Sequence, residues 1–262
     1  MARPRSELMA TTTPPDPFYG FDEHFAVDLP SARVLFTTRR GGCSRGPYAS
    51  LNLGRLTNDP PDAVARNRAV LGARLEVALG FSFQVHGAEV RELDPTSWAR
   101  DSAAEPGSLS PADGQFTVHP GLAPAVLTAD CLAIAVTGAG AVAMLHAGWR
   151  GMAGGVIAAG VAALRAAGAE GPLSAAVGPG AGSCCYVVGE EVHAAFADRP
   201  EHVHQGANLD LPAIARHDLE AAGVATIHEL GLCTICSDPA LFFSHRRDQG
   251  VTGRQAGIAW LI

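Results

Sequence analysis

Positive charge, cysteine and uninterrupted apolar runs are all in short supply in this sequence of 262 residues. Charged side chains make up 17% of it and the formal net charge is −7. Broad nucleic-acid binding favours a basic surface, so that class is disfavoured, although a local group of arginines can still hold a small anion. Six cysteines in this length do not make a secreted disulfide framework, and reduced thiols in a cytoplasmic protein are expected. The opening stretch MARPRSELMATTTPPDP has Arg3 and Arg5 but no apolar core after them, so it does not read as a signal peptide. Residues 1–30 read as a flexible tail and lead-in to a single domain over 31–262. There is no internal repeat, and no linker rich in proline, glycine or serine divides the middle. The most apolar stretch, 121–148, is broken by Pro124, Asp130, Gly138 and Gly140. It reads as short buried strands and not as a membrane span.

What is present is a globular composition, 47% apolar, with room for a sizeable core. Residues 33–38 read as a strand. A loop of basic and small residues follows. A helix is expected over 61–79, with Val64, Leu71 and Leu75 on one face and Asn58 or Asp59 as its cap. FSFQVHG reads as a strand ending at His86, and the prolines and glycines of 94–114 as a loop. Strands are expected near 123–129, 131–137 and 141–146, then a helix beginning just after Gly-Trp-Arg-Gly. LSAAVGPG reads as a strand and turn, GEEVHAAFADR as a short helix, 212–222 as a helix led by Asp210, and QAGIAWLI as a closing strand. Helices and strands mix without βαβ alternation, so the class is α+β.

The chemistry gathers at the edges of TADCLAIAVTGAGAVAMLHAGWRG. If Ala133–Val136 and Ala141–Met144 pair about Gly138 and Ala139, Cys131 stands directly opposite His146. Their Cβ atoms would then lie roughly 4.5–5.5 Å apart. Leu132, Ile134, Val136 and Leu145 would fill the other face. A thiol and an imidazole so placed suit one metal ion, and a catalytic zinc takes three protein ligands with an open fourth position. His86, with Gly87 beside it, is the candidate third ligand. The same pair also suits a thiol nucleophile with His146 as its base, and Asp130 would either orient that imidazole or brace the turn. A half-buried core cysteine with a hydrogen-bonded histidine is the plain alternative. These readings stand side by side at the level of residue chemistry.

From about Phe36 onward the chain resembles the laccase-domain family, whose members are known as multicopper polyphenol oxidase, purine nucleoside phosphorylase and peptidoglycan editing factor. The resemblance rests on FTTRRGGCSRGPYASLNLG, NRAVL, QVHGAEV, ADG, TADCLAIAV, HAGWRG, VGPGAGSCCYVVGEEV and CTICSDPALFFSHRRDQGVTGRQAG. It implies mixed β-sheets packed together and flanked by helices, α/β/β/α-like. It implies zinc held by His86, Cys131 and His146. Copper is the second choice, because a multicopper oxidase needs clusters of histidines that one such trio does not supply. The implied partners are purine nucleosides and phosphate, with phosphorolysis of adenosine, inosine, guanosine and methylthioadenosine, and adenosine deamination beside it. The usual deaminase signature, H-x-E with P-C-x-x-C, is absent. Ala133, Ser183 and His245 stand where the family often has Pro, Pro and Tyr.

Phosphorolysis needs cations for phosphate. Arg39, Arg40, Arg150, Arg246, Arg247 and Arg254 are the candidates, with Arg39 and Arg246 first and Arg150 next, helped by amides of the helix after Arg150. Cys233 and Cys236 form a C-x-x-C, but the other near pair, Cys184 and Cys185, is adjacent, so structural thiols are preferred to a zinc ribbon. His119, His193, His202, His204, His217 and His228 read as surface or satisfied histidines. The expected protein is a monomer or small homo-oligomer that binds neither nucleic acid nor membrane. A Cys131–His146 hydrolase of amide bonds and a non-enzymatic zinc-stabilised module are the alternative functions.

Overall fold

Apolar residues alternate along each of the two sheets at the centre of the computed structural model, which describes residues 13–105 and 108–262. The chain opens with β1 (Tyr19–Phe21), β2 (His24–Leu29) and β3 (Ala32–Phe36), an antiparallel ribbon. Residues 19–29 are therefore sheet strands, not a flexible lead-in, while the expected tail over 1–12 lies outside the described residues. Next come α1 (Pro61–Leu75), β4 (Ala78–Gly80), β5 (Val90–Glu92), α2 (Pro95–Ala103), β6 (Gly114–Thr117) and β7 (Leu122–Thr128). The central hairpin is β8 (Leu132–Gly138) with β9 (Ala141–Ala147). Then follow α3 (Trp149–Ala153), α4 (Val156–Ala166), β10 (Leu173–Val177) and α5 (Glu190–Ala194). The chain closes with β11 (His204–Gln205), β12 (Asn208–Leu209), α6 (Leu211–Ala221), β13 (Val224–Glu229) and β14 (Gln255–Leu261).

Two six-stranded sheets result, ordered β1-β2-β3-β14-β7-β4 and β13-β10-β8-β9-β6-β5. Period-two alternation decides which face each side chain takes. Val34, Phe36, Val126 and Ala259 of the first sheet meet Ala133, Ala135, Val142 and Met144 of the second. Leu35, Ile258 and Trp260 turn outward onto Leu71 and Leu75 of α1. Leu132, Ile134 and Leu145 turn outward onto Ile157, Val161 and Leu164 of α4 and Ile214 and Leu219 of α6. The layers are helix, sheet, sheet, helix in one compact domain, the expected α+β architecture. The two sheets approach so closely at Gly257 that a Cβ there would stand 2.5 Å from the Cβ of Ala133. No helix of the described residues is long and apolar enough to cross a membrane.

Four local readings are corrected. The helix over 61–79 stops at Leu75, where Glu76 takes a left-handed φ of 55° and its N–H bonds Gly72 O; β4 then begins. Its N-cap is Pro60, and Asp59 instead accepts hydrogen bonds from Ser44 and Asn52. The expected loop over 94–114 contains α2, capped by Asp94, whose carboxylate accepts the Ser97 N–H at 2.7 Å. Proline belongs at the first helical position, so Pro95 marks a start and not a break. FSFQVHG is no strand: it bridges a neighbour only at Phe83, and His86 sits at φ 58°. Gly148 caps α3, which takes up Trp149, Arg150 and Gly151 of the motif, and α4 starts only after Gly155 at φ 86°.

The hairpin register also differs. Ala133, not Cys131, lies opposite His146, because the turn falls on Ala139-Gly140, with Gly140 at φ 74°. Shifting the turn by one residue moves the pairing by two. Parity survives, so Cys131 and His146 still share a face.

Candidate functional site

Cys131 precedes β8 and His146 lies near the end of β9, on the face toward the first sheet. Continuing the register puts Gly148 opposite Cys131, and its missing Cβ is what lets the sulfur in. A Cβ there would stand 2.8 Å from Cys131 Sγ and 3.2 Å from His86 Cδ2. His86 arrives from the irregular segment after Phe83. Its ring meets that of His146 edge-on, centroids 4.9 Å apart. One ligand atom from each of His86, Cys131 and His146 can be chosen so that all lie within 4.8 Å of one another.

Gly148 has φ −80° and ψ 166°, open to any residue, so only space forbids a side chain. Gly148→Ala is expected to destabilise by about 1–3 kcal/mol through overpacking and to cut metal content well below the wild-type level. Thermal melts and elemental analysis check this, and wild-type metal content in the variant counts against a metal centre here.

The residue that assembles the trio is Asp113, fully buried just before β6. Its carboxylate accepts the backbone N–H groups of Val85, His86 and Gly87 at 3.0, 2.9 and 2.7 Å. The same carboxylate lies 2.7 Å from His146 Nδ1. Burial would raise this carboxyl, but His146 and the amides of Gly87 and Val85 hold it below the usual range. An ionised carboxylate only accepts, so Nδ1 carries a hydrogen; Nε2, protonated in the metal-free site, would give up its proton to a metal. A carboxylate behind a histidine is the usual support of a metal-bound imidazole. Asp113 was not among the candidate site residues, although ADG is one of the stretches that carry the family resemblance.

Burial would also raise the Cys131 thiol, but the charge and hydrogen bonds of His146, and those of His86, bring it to about 6. His146 moves the opposite way. Burial would lower it, yet Cys131 and Asp113 raise it to about 9. The site therefore favours a thiolate, the form that binds metal. Asp130 does not orient the imidazole. At φ 95° it braces the turn, accepting from the Thr234 hydroxyl and the Arg246 N–H, each at 2.7 Å.

The trio forms the floor of a cavity of about 480 Å³, within the range of small-molecule sites, about 300–1,000 Å³. Arg55, Arg68, Arg150, Arg246 and Arg254 line it, against the single carboxylate of Asp130. None of the five forms an ion pair among the described residues. Arg150 lies over Trp149 at 4.2 Å and Arg246 over Tyr186 at 5.3 Å.

Arg39 does not line this cavity. Its guanidinium donates to the carbonyls of Ala49, Pro239 and Pro47 and stacks on Phe243, which makes it a clamp between loops. Arg247 is likewise engaged by Asp248, Thr234 O and Phe242 O, and Arg40 donates to Ala240 O. Arg55 and Arg68 were missed. For Arg68 a signal existed: it shares the buried face of α1 with Val64, Leu71 and Leu75. It stacks on Phe81 at 3.8 Å, and burial, then Arg55, lowers it to about 9.

The model for the family described as multi-copper polyphenol oxidoreductase laccase matches residues 33–262. A purine nucleoside phosphorylase of Pseudomonas aeruginosa is 40% identical over 240 residues, covering 87% of this chain and 93% of that one. The purine nucleoside phosphorylase YlmD of Geobacillus stearothermophilus is 39% identical over 241 residues, covering 83% and 86%. The crystal structure of YlmD superposes with a TM-score of 0.84 at 33% identity, covering 94% of this chain and 99% of that one. The crystal structure of the Bacillus licheniformis hypothetical protein YfiH superposes with a TM-score of 0.81 at 29% identity, covering 94% and 100%. Matched over 33–262 by that model, and over most of their own length by these relatives, the chain belongs to the multi-copper polyphenol oxidoreductase laccase family.

Proposed function

We propose that this chain is a zinc-dependent purine nucleoside phosphorylase acting on adenosine, inosine, guanosine and methylthioadenosine, with adenosine deamination as a second activity of the same cavity. The observation that carries the reading is a cavity with five arginines and one engaged carboxylate in a chain of net charge −7. Such a wall holds an anion that the rest of the surface repels. The chain has no lysine, so all 19 of its basic residues are arginines. Every arginine at the wall carries a planar fork; Arg55, Arg68, Arg246 and Arg254 each donate from one nitrogen of it to backbone carbonyls, and their remaining N–H groups suit phosphate. The names of the relatives point the same way.

His86, Cys131 and His146 would hold the zinc: two imidazoles and a thiolate suit that ion, and three ligands leave a position open. When bound there, zinc would supply Lewis-acid charge at the cavity floor, which both purine departure and replacement of a C6 amino group by water draw on. The arginines hold phosphate so that one of its oxygens forms the bond to ribose C1′ as the C1′–N9 bond breaks. The electron pair leaves with the purine, which takes up a proton. Phe81, Phe83, Trp149 and Tyr186 line the same cavity and give it the aromatic surface a purine would meet. Burial, then the charge of Cys131, pushes the Tyr186 phenol up to about 12, so its hydroxyl remains a hydrogen donor at neutral pH.

A Cys131–His146 hydrolase is the second reading, favoured by the Asp113–His146 contact of 2.7 Å, which would orient a general base. A nucleophile needs no second imidazole, however, and His86 is fastened beside the sulfur by the same Asp113.

The test is to incubate pure protein with each nucleoside, with and without phosphate, and identify products. Free base with ribose 1-phosphate (5-methylthioribose 1-phosphate from methylthioadenosine), formed only with phosphate, is expected; its absence for every nucleoside overturns the proposal. Inosine and ammonia from adenosine without phosphate would establish the second activity. Arg246→Ala is expected to raise KM for phosphate about 10–100-fold, as hydrogen bonds to charged groups contribute about 1.5–3 kcal/mol. Arg246→Lys keeps the charge, loses the fork and should fall between. Unchanged phosphate dependence in both variants assigns Arg246 to the wall alone.

A further inference from the structure

Four of the remaining cysteines also meet in space. Cys184 and Cys185 follow β10, and Cys233 and Cys236 follow β13. These strands pair in parallel, so both loops leave at the same end. The pairing extends past the strands: Gly180 bridges Cys233, and the Thr234 N–H donates to Gly180 O at 2.9 Å. One result is that all four sulfurs lie within 4.8 Å of one another. Cys184 Sγ is 3.4 Å from Cys236 Sγ, and none of the four is in a disulfide. A zinc ion with four Zn–S bonds of about 2.3 Å places its sulfurs about 3.8 Å apart.

The backbone around the cluster is also arranged for a thiolate. The Gly182 N–H points at Cys233 Sγ at 3.4 Å. Burial would raise the Cys233 thiol, but the amides of Gly182, Cys236 and Ile235 bring it below its ordinary value. Core packing does not account for the group, since Cys184 and Cys236 are exposed and the other two only half-buried.

We propose that Cys184, Cys185, Cys233 and Cys236 form a second metal site, a closed tetrathiolate that takes zinc and clasps the loop after β10 to the loop after β13. Each thiol that ligates releases its proton to solvent. With four protein ligands the site has no open position, so its work is mechanical. The clasped loops carry two groups of the cavity. Tyr186 adjoins Cys185 and lines the wall. Thr234 lies between Cys233 and Cys236 and donates to Asp130, which in turn receives the Arg246 N–H. A C-x-x-C and an adjacent pair look unrelated in sequence; only the parallel pairing of β10 with β13 joins them.

Zinc content and free thiols, measured on the full chain purified under reducing conditions, test this. The wild type is expected to hold about two zinc ions per chain, the Cys233→Ser/Cys236→Ser variant about one, and the His86→Ala/Cys131→Ala variant about one. The last variant lacks the cavity-floor ligands, so the second site is read independently of the proposed activity. If only the floor proposal is wrong, wild type and His86→Ala/Cys131→Ala both hold about one. Cobalt(II) added to His86→Ala/Cys131→Ala should give the intense thiolate-to-metal absorption of a tetrathiolate, a readout that does not depend on the serine variant folding. Zinc-free His86→Ala/Cys131→Ala protein without that absorption overturns the proposal. So does an unchanged zinc count in Cys233→Ser/Cys236→Ser, or a disulfide between Cys184 and Cys236 in the reduced preparation.

Discussion

Cys131→Ala is expected to empty the cavity floor of metal and to lower nucleoside turnover by about a thousandfold or more. Lewis-acid charge at a reacting centre contributes several kcal/mol to the transition state, and each 1.36 kcal/mol is a factor of ten in rate. The fold should survive, since Cys131 lines the cavity and lies outside the three apolar clusters. Alkylation separates the two roles open to this thiol. A thiolate committed to zinc resists brief iodoacetamide treatment until a chelator removes the metal. A nucleophile activated by His146 is labelled at once on the active enzyme. His86→Ala gives the second contrast: it lowers metal content and activity together if the three residues share an ion, and spares thiol chemistry if they do not. Mass spectrometry of Cys131, with and without chelator, reads the outcome. Rapid labelling of fully zinc-loaded protein would transfer the site to the Cys–His hydrolase.

The second large effect is expected at Asp113, which touches no cavity space but holds both histidines. Asp113→Ala strands the N–H groups of Val85, His86 and Gly87 and removes the partner of His146. A destabilisation of about 3–5 kcal/mol is expected, the usual cost of breaking a buried charged pair. Asp113→Asn keeps the shape but turns one acceptor into a donor that faces N–H groups. Supporting partners of metal-bound histidines typically contribute 10–100-fold in metal affinity, so zinc should bind Asp113→Asn about that much more weakly. Denaturant melts of metal-free protein and zinc competition against a chelator report the two effects separately. An Asp113→Asn variant with wild-type zinc affinity would show that His146 needs no carboxylate behind it.

Much of the fold was legible because periodicity is local. The strands of the central hairpin, α6 with its Asp210 cap and the closing β14 follow from alternation and capping within a few residues. Pro95 was misleading because the same residue starts helices and stops them, and only the Asp94 carboxylate on the Ser97 amide tells which. The hairpin register was off by two positions because two glycines, 138 and 140, competed for the turn. Gly140 takes the left-handed φ, and Gly138 is kept for space: a Cβ there would stand 2.6 Å from Leu173 Cδ2.

The residue types of the site and the sharing of one hairpin face by Cys131 and His146 were determined by the sequence alone, since parity along a strand survives an even slip. What the tertiary structure decided was every relation between distant segments. It brought His86 to Cys131 through the Asp113 carboxylate, placed Arg68 and Arg254 at the cavity, turned Arg39 into a loop clamp, and joined two cysteine pairs across parallel strands. Those relations depend on which backbone amides and carbonyls each polar side chain satisfies once buried, and a one-dimensional pattern of residue types does not carry that information.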